Sequence, residues 1–228
     1  MQKNTGLILA LDVSNKDKAI AILQEVYDLI DAVKVGYPLL LANGLDIIKE
    51  IKKFKFEVEV IVDLKVADIP NTNKLICESL FNSGADAIIV HGFTGKDSMA
   101  MCIKVAKQYG KEIYIVTEMS HSGAIQFLQP VALQIAKLAK EVGANGVIAP
   151  ATRPERIKEI SSIVGDLIVI SPGVGAQGGS FREAISAGAD YIIVGRSIYL
   201  SENPRECTKE ILESLNQWFK SISSYEAR

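Results

Sequence analysis

Short apolar runs recur along the chain, and amphipathic segments of helical period separate them. Eight runs rich in Val, Ile and Leu occupy residues 7–11, 32–35, 58–63, 87–90, 113–117, 146–149, 167–170 and 191–194. Runs that are apolar at nearly every position are typical of strands buried on both faces, as in a parallel sheet. The amphipathic segments predict helices at residues 16–30, 39–53, 71–82, 96–109, 131–142, 154–164 and 204–219. The alternation of strand and helix predicts an α/β fold.

A repeated junction marks three of the predicted helix-to-strand connections. Gly-Ala-Asp or Gly-Ala-Asn precedes the runs that begin at Ala87, Gly146 and Tyr191. Each glycine stands where a helix end favours a left-handed residue, so that the chain turns back into the next strand. No proline- or serine-rich linker divides the 228 residues. We therefore predict a single domain over residues 1–228, a (β/α)8 TIM barrel with a polar tail at about residues 221–228.

The competing architecture is an open, doubly wound sheet that binds a dinucleotide. Gly173, Gly175 and Gly178 match the spacing G-x-G-x-x-G, the phosphate-binding fingerprint of that fold. The fingerprint belongs to the first strand–helix turn, with an acidic residue about 20 positions further on. Here the motif follows the seventh run and lacks that acidic partner, so we reject a dinucleotide-binding fold.

Charge and composition exclude several functional classes. The chain has 25 Lys and Arg against 27 Asp and Glu, with no basic block typical of nucleic-acid or membrane binding. No apolar stretch approaches the roughly 20 residues that span a bilayer, and the N-terminal segment lacks signal-peptide anatomy. Cys77, Cys102 and Cys207 lie far apart and are typical of thiols in a reducing compartment. We predict a cytoplasmic protein.

Asp63, Lys65 and Asp68 stand where the third strand gives way to a helix. Side chains alternate along a strand, so Asp63 and Lys65 should point to one face, with Asp68 in the following turn. A surface ion pair is an equally good interpretation of these residues alone. At the ends of the two preceding strands, Asp12 and Lys34 would face the same mouth of a barrel. Buried charges cost several kcal/mol each unless paired, so such a set favours catalysis.

The later strand ends add a second group of candidate residues, because chemistry in a barrel gathers at the carboxyl ends of its strands. They are His91, Ser120, His121, Ser171, Pro172, Gly173, Gln177, Gly195 and Arg196. The glycine-rich segment after strand seven and Arg196 offer backbone N–H groups and a guanidinium at the usual phosphate site of this fold. Alternatively, the glycines only form a turn and Arg196 pairs with a surface carboxylate. We expect a phosphate site, and we expect both histidines to be hydrogen-bonded wall residues.

Two chemical roles remain open for the acidic and basic residues. A lysine flanked by carboxylates stays protonated, which suits a general acid or a stabilising cation and not a Schiff-base nucleophile. Alternatively, Asp12, Asp63 and Asp68 offer the oxygen ligands that Mg2+ prefers. Because Lys34 and Lys65 already supply the compensating charge, we favour a site without a metal.

These motifs resemble the orotidine 5′-phosphate decarboxylase family in its short, archaeal-type form. The resemblance runs from Ala10 to Tyr199 and is carried above all by D-L-K-V-A-D-I-P-N-T-N at residues 63–73. Met-Ser-His at residues 119–121 and Ser-Pro-Gly-Val at residues 171–174 add to it. One departure is Ser122, where the family often has a proline. This departure concerns the stiffness of the loop and not the chemistry.

The resemblance implies the conversion of orotidine 5′-phosphate to UMP and CO2, in pyrimidine biosynthesis, with no cofactor and no metal. It implies that Asp63 lies against the substrate carboxylate and that Lys65 protonates C6 of the pyrimidine. Lys34 would position Asp63 and the ribose.

The resemblance also implies a homodimer in which Asp68, with Ile69 and Thr72 nearby, is lent to the partner's site. The substrate-binding residues that it implies are Asp12 for a ribose hydroxyl, Ser120 for the pyrimidine edge, Gln177 for base and phosphate, Arg196 for the phosphate, and Pro172 and Gly195.

Two alternative functions stay open. Related Mg2+-dependent decarboxylases and aldolases of keto-sugar phosphates share the D-x-K-x-x-D strand. They place an acidic metal ligand at the end of strand two, where this chain has Lys34. The other alternative is a phosphate-binding barrel without catalysis, which has no need of a buried set of opposite charges.

Overall fold

Eight parallel strands close into a barrel in the computed structural model, which describes residues 1, 3–53 and 58–226. In this part of the chain the strands are β1 (Leu7–Ala10), β2 (Ala32–Gly36), β3 (Glu59–Val66), β4 (Ala87–His91), β5 (Glu112–Val116), β6 (Gly146–Ile148), β7 (Ile168–Pro172) and β8 (Tyr191–Val194). Each strand pairs with the next along the chain, and β8 pairs with β1 through Ile192 and Leu7. The predicted (β/α)8 barrel is therefore confirmed.

Helices connect the strands and cover the outside of the barrel. In the described residues they are α1 (Lys16–Val26), α2 (Tyr37–Asn43), α3 (Asp46–Lys53), α4 (Pro70–Asn82), α5 (Lys96–Tyr109), α6 (Ala124–Phe127), α7 (Ala132–Val142), α8 (Pro154–Val164), α9 (Phe181–Ser186), α10 (Arg196–Tyr199) and α11 (Pro204–Glu226). The sequence pattern does not predict α6, α9 and α10, because four to six residues are too few to show a helical period. None of the described helices is long and apolar enough to cross a membrane.

Three of the predicted helices differ from the observed ones by more than two residues or divide in two. The first, predicted at residues 16–30, ends at Val26, and a 3-10 turn at Tyr27–Leu29 follows it. Residues 39–53, predicted as one helix, fall into α2 and α3, because Gly44 adopts a φ of +69° that an α-helix does not allow. The last helix continues to Glu226 instead of giving way to a polar tail near residue 221, because neither Gly nor Pro follows Pro204. Residues 227 and 228 of the predicted tail lie outside the described residues.

Alternate side chains of the strands enter two apolar layers. Ile8 and Ile61 belong to a buried cluster inside the barrel. Leu9 and Val60 point the other way and belong to a second cluster, which the helices share. Both faces of the strands are thus buried, which explains the nearly continuous apolar runs in the sequence. Since side chains fill the interior, a ligand must bind at a mouth of the barrel.

An Asp or Asn side chain precedes each even-numbered strand (β2, β4, β6 and β8). It accepts hydrogen bonds from backbone N–H groups at or just before the start of the preceding strand. The acceptors and their backbone N–H donors are Asp86 with Val60 at 2.9 Å, Asn145 with Ile113 at 2.9 Å, and Asp190 with Val169 at 2.8 Å. Asp31 accepts N–H groups of Asn4, Thr5 and Gly6 in the same way. These bonds explain why the repeated Gly-Ala-Asp or Gly-Ala-Asn junction ends in a short polar acceptor.

Replacing Asp86 by alanine should lower the free energy of unfolding by about 2–3 kcal/mol, because charge-assisted hydrogen bonds are lost. Its carboxylate accepts the N–H of Val60 and also pairs with Lys52 and, at 2.7 Å, with Lys111. Burial acts to raise the pKa of Asp86, but the hydrogen bonds from Lys111 and Lys52 outweigh burial and hold the pKa below its ordinary value. Urea unfolding of both proteins at pH 7 measures the difference.

The contribution of Asp86 should depend on pH in a defined direction. Because the pKa of Asp86 is lower in the folded protein, its stabilisation is fully present above the unfolded pKa and is lost as the pH falls through the folded pKa. The difference between the two proteins should therefore shrink below about pH 4. Glu50→Ala serves as the control, since Glu50 forms a single ion pair within the described part of the chain, with Lys16 at the surface, and should matter little. Equal losses of unfolding free energy in the two variants would contradict the prediction.

Candidate active site

The carboxyl ends of the strands surround a cavity of about 340 Å³, which falls in the range of small-molecule sites. The sequence-predicted residues that line it are Asp12, Lys34, Asp63, Lys65, Ser120, His121, Pro172, Gly173, Gln177, Gly195 and Arg196. Its floor is apolar and comes from barrel-interior residues such as Ile89, Ile148 and Ile193. Polar groups that are far apart in the sequence therefore converge over an apolar surface.

Four charged residues form a chain of alternating sign at one wall of the cavity, the charged array (Asp12, Lys34, Asp63 and Lys65). Lys34 Nζ lies 3.5 Å from Asp12 Oδ1 and 3.0 Å from Asp63 Oδ2. Lys65 Nζ lies 3.0 Å from both carboxylate oxygens of Asp63. The side chains of Lys34 and Asp63 are only 9% and 7% exposed. Because these two ions are shielded from water, the interpretation as a surface ion pair is excluded for them.

Burial and pairing act in opposite directions on the charged array. Burial acts to lower the pKa of Lys34, but the charges of Asp63 and Asp12 outweigh it and raise that pKa above its ordinary value. Burial acts to raise the pKa of Asp63, but the charges of Lys34 and Lys65 hold it below its ordinary value. Both groups are therefore ionised at neutral pH. The array is a set of fixed charges that is already in place before a ligand binds.

The backbone of β3 changes course at Lys65. Among the described residues, Lys65 is the one non-glycine residue with a positive φ, at 45°. The pairing of β3 with β4 shifts register between Val62 and Val66, and the strand runs to Val66 instead of ending near Asp63 as predicted. Such a conformation costs about 1–3 kcal/mol and persists where the surrounding structure imposes it. The contact between Lys65 and Asp63 thus depends on a bulge and not on plain alternation.

The glycine-rich loop (residues 173–179) makes a tight turn across the cavity mouth. The N–H of Gly175 donates to the carbonyl of Gly179, and the N–H of Gly179 donates to the carbonyl of Gly173, each at 3.0 Å. A Cβ on Gly179 would lie 2.6 Å from the carbonyl oxygen of Gly173, so a side chain cannot fit there. Arg196 is exposed, lines the cavity and has no ion pair among the described residues. The surface carboxylate partner that the alternative interpretation required for Arg196 is therefore not found in this part of the chain.

Ser120 and Gln177 join the two loops above the cavity. Ser120 Oγ donates a hydrogen bond to Gln177 Oε1 at 2.8 Å. A Cβ on Gly173 would lie 3.0 Å from Cβ of Ser120, so the glycine-rich loop packs directly on this serine. Pro172 and Gly195 line the cavity at the ends of β7 and β8. A ligand in the cavity would therefore contact both loops.

A buried ionic cluster supports the segment that carries Ser120, and no sequence pattern reveals it. Glu118 is fully buried, and its carboxylate accepts hydrogen bonds from Arg153 Nε at 2.7 Å and Arg156 Nε at 2.9 Å. Arg153 also donates to the carbonyl oxygen of Met119. Glu118 follows β5, whereas the arginines lie at the start of α8. The closure of the barrel alone brings them together.

The two histidines differ in position. His121 lines the cavity together with Met119 and Tyr199, and no sequence motif marked Tyr199 as a site residue. His91 does not line it, and burial, followed by the charge of Lys65, lowers its pKa to about 4. Its Nδ1 is buried without a hydrogen-bond partner among the described residues. The prediction of a hydrogen-bonded wall residue is therefore wrong for His91.

Asp68, Ile69 and Thr72 lie outside the cavity of their own chain. Asp68 is exposed, and its Oδ1 accepts the N–H of Ile69 at 2.7 Å, directly before α4 begins. Ile69 is 64% exposed, and the apolar side chains of Leu75 on α4 and Phe93 after β4 are 57% and 55% exposed. Within one chain, Lys65 therefore pairs with Asp63 and not with Asp68.

The three carboxylates considered as Mg2+ ligands do not converge within the described residues. Asp12 and Asp63 both pair with Lys34, while Asp68 lies apart. In that part of the chain, no group of three or more His, Cys, Asp or Glu side chains is placed to hold a metal ion.

The closed barrel with its polar cavity at the carboxyl ends of the strands defines the class of (β/α)8-barrel enzymes. Comparison with known sequences identifies the family within this class. The sequence profile of the orotidine 5′-phosphate decarboxylase / HUMPS family matches residues 5–211, and the chain belongs to this family.

Individual relatives match over nearly their whole length. The protein named orotidine 5′-phosphate decarboxylase from Methanosarcina mazei is 59% identical over 216 residues, which cover 94% of this chain and 97% of that one. A crystal structure of the Methanocaldococcus jannaschii orotidine 5′-monophosphate decarboxylase, complexed with the inhibitor BMP, has a TM-score of 0.87 and 51% sequence identity. The match covers 92% of this chain and 98% of that one. The predicted family, its archaeal-type form and the classification as a carboxy-lyase enzyme are confirmed.

Proposed function

We propose that this chain converts orotidine 5′-phosphate to UMP and CO2 in de novo pyrimidine biosynthesis, without a cofactor or a metal. The observation that carries the proposal is the charged array, in which Lys65 Nζ lies 3.0 Å from Asp63 in a cavity that Arg196 also lines. The names of the Methanosarcina mazei and Methanocaldococcus jannaschii relatives support the same reaction.

Lys65 is the proposed acid. Loss of CO2 breaks the bond from C6 to the carboxylate carbon and leaves the electron pair on C6, where no adjacent group accepts it. The Lys65 ammonium stabilises this charge and donates its proton to C6, and the neutral amine then regains a proton from water. Asp63 lies against the substrate carboxylate, and Lys34 holds Asp63 in its ionised form while contacting the ribose. The raised pKa of Lys34 and the lowered pKa of Asp63 support these roles.

The remaining cavity residues bind the rest of the nucleotide. Their proposed partners are the phosphate for Arg196, the base and phosphate for Gln177, the pyrimidine edge for Ser120 and a ribose hydroxyl for Asp12. Pro172 and Gly195 form walls between these groups. The hydrogen bond between Ser120 and Gln177 supports adjacent partners on the ligand, and the apolar floor suits a flat base.

The proposed working form is a homodimer in which Asp68, Ile69 and Thr72 enter the partner's site. The exposed apolar side chains of Ile69, Leu75 and Phe93 support an interface at this end of the barrel, because such surface is costly to leave in water. Within the described residues of one chain, Lys65 has a single carboxylate neighbour, Asp63. In the proposed dimer, the partner's Asp68 would supply a second one.

The two alternative functions are less well supported. A Mg2+-dependent keto-sugar-phosphate enzyme requires an acidic ligand where Lys34 stands, and the ammonium of Lys34 already occupies the space between Asp12 and Asp63. A binding protein without catalysis would gain nothing from the strained backbone at Lys65.

An ultraviolet assay tests the proposal. Orotidine 5′-phosphate mixed with the purified protein should lose its characteristic absorbance as UMP forms, and EDTA should leave the rate unchanged. No absorbance loss would contradict the proposed reaction, whereas a loss that EDTA abolishes would contradict only the metal-free mechanism. A keto-sugar phosphate, tested in parallel with Mg2+, distinguishes the rival family member.

Replacing Arg196 by alanine should raise KM about ten- to a hundredfold, because charge-assisted hydrogen bonds to the phosphate contribute about 1.5–3 kcal/mol. Steady-state kinetics on both proteins measures the change. The control is Arg182→Ala, which removes an arginine that does not line the cavity. An unchanged KM for Arg196→Ala would show that the phosphate binds elsewhere.

A further inference from the structure

Gly36 ends β2 beside the charged array, and its backbone does not require glycine. Its φ of −113° and ψ of −170° are extended values that any L-residue adopts. The main chain therefore offers no conformational reason for a glycine here, in contrast to the left-handed glycines of the glycine-rich loop. The reason must lie in the space that a side chain would take.

The surroundings of Gly36 show which group occupies that space. Lys34 and Gly36 share one face of β2, and Gly36 is the ladder partner of Asp63 on β3. A Cβ on Gly36 would lie 2.9 Å from Asp12 Oδ1, a separation that real Cβ atoms essentially never show. It would lie 3.6 Å from Lys34 Nζ and 3.8 Å from the carbonyl oxygen of Asp63, which are ordinary contacts. Of these three neighbours, the Asp12 carboxylate alone would have to move.

Displacement of the Asp12 carboxylate should lower the stability of the fold little but should weaken the binding site more. The carboxylate is the end of a side chain that is 36% exposed, so it can swing towards solvent without disturbing the barrel. In doing so it would leave its position 3.5 Å from Lys34 Nζ. Buried Lys34 and Asp63, and the bond between them, would remain.

We propose that Gly36 is a positioning residue for substrate binding, because its missing side chain keeps the Asp12 carboxylate beside Lys34 and turned into the cavity. The inference rests on the proposed function, in which Asp12 holds a ribose hydroxyl. Gly36 touches no reacting group and acts through Asp12 alone.

Gly36→Ala should raise KM for orotidine 5′-phosphate about tenfold, at the lower end of what a displaced charge-assisted hydrogen bond produces. The turnover number should change much less, because Asp12 makes no contact with Lys65 and its interaction with the ribose is the same in substrate and transition state. The melting temperature should stay close to that of the unsubstituted protein.

A double-mutant cycle with Asp12→Ala identifies the route of the effect. If Gly36 acts through Asp12, the double variant Asp12→Ala/Gly36→Ala should have the same KM as the single variant Asp12→Ala. Gly110→Ala is the matched glycine control. Gly110 ends α5 with a φ of +64° and no atom within 4 Å of an added Cβ, so the alanine strains the backbone far from the array. It should lower the melting temperature while KM stays unchanged.

Three results in solution would overturn the inference. They are an unchanged KM in Gly36→Ala, a KM increase that persists at full size in the Asp12→Ala background, and a melting temperature that falls as it does in Gly110→Ala. A crystal structure of Gly36→Ala gives a readout that needs no activity, and an unmoved Asp12 carboxylate in it would also refute the inference. Absence of turnover by the unsubstituted protein contradicts the proposed function instead, so the two failures are distinguishable.

Discussion

Replacing Lys65 by alanine should lower kcat by at least about 10⁴-fold, the combined loss of a general acid and of a fixed cation at the reacting carbon. In the proposed mechanism no other group takes over either task. Lys34 is buried and pairs with both Asp12 and Asp63, so in that arrangement it holds these carboxylates and does not protonate C6. Single-turnover measurement with excess enzyme separates the chemical step from substrate binding.

The stability of this variant needs its own measurement, because removing Lys65 from the charged array leaves the buried Asp63 carboxylate with Lys34 as its remaining partner. Thermal unfolding should show a folded Lys65→Ala protein, and titration with UMP should show that the nucleotide still binds. The control is Lys49→Ala, which removes a lysine whose side chain is 55% exposed on α3 and should leave kcat unaffected. A folded Lys65→Ala protein with kcat within tenfold of the original would exclude Lys65 as the acid.

Mixing Asp68→Ala protein with Lys65→Ala protein should restore activity that neither variant has alone. In the proposed homodimer, each site takes Lys65 from one chain and Asp68 from its partner. A mixed dimer therefore contains one site with both residues intact and one site with neither. Since random exchange in a two-fold dimer makes half of the dimers mixed, about a quarter of the original sites should be recovered.

The matched control is a mixture of Lys34→Ala and Lys65→Ala proteins. Lys34 and Lys65 contact the same Asp63 within one chain, so no mixed dimer of these variants has an intact site. This mixture should stay inactive. Native mass spectrometry shows whether subunits have exchanged. Full exchange without recovery in the Asp68 mixture would refute the shared site while leaving the role of Lys65 untouched.

The order of elements could be predicted from the sequence, because strand and helix formation depends on local patterns. The apolar runs identified all eight strands, and the Gly-Ala-Asp or Gly-Ala-Asn junctions marked the starts of β4, β6 and β8. Local patterns failed where a single backbone angle or a short element decided the outcome. Gly44 divides a predicted helix in two, and the short helices α6, α9 and α10 have no period to detect.

The residues of the candidate site were also predictable only in part. Residue types and their places at strand ends sufficed to select Asp12, Lys34, Asp63 and Lys65, since strand ends of a parallel barrel meet at one mouth. The cluster of Glu118 with Arg153 and Arg156 was missed, because its members belong to different strand–helix units with no shared motif.

The sequence by itself determined the barrel, the family and most of the polar residues that face the cavity, because hydrophobic period, turn residues and short motifs are properties of neighbouring positions. The tertiary structure alone decided how the charges are arranged. It shows that Asp63 lies between two lysines, that a bulge directs Lys65 towards it, and that Asp68 stays outside. These facts depend on distances between atoms on different strands, which exist only after the barrel has closed.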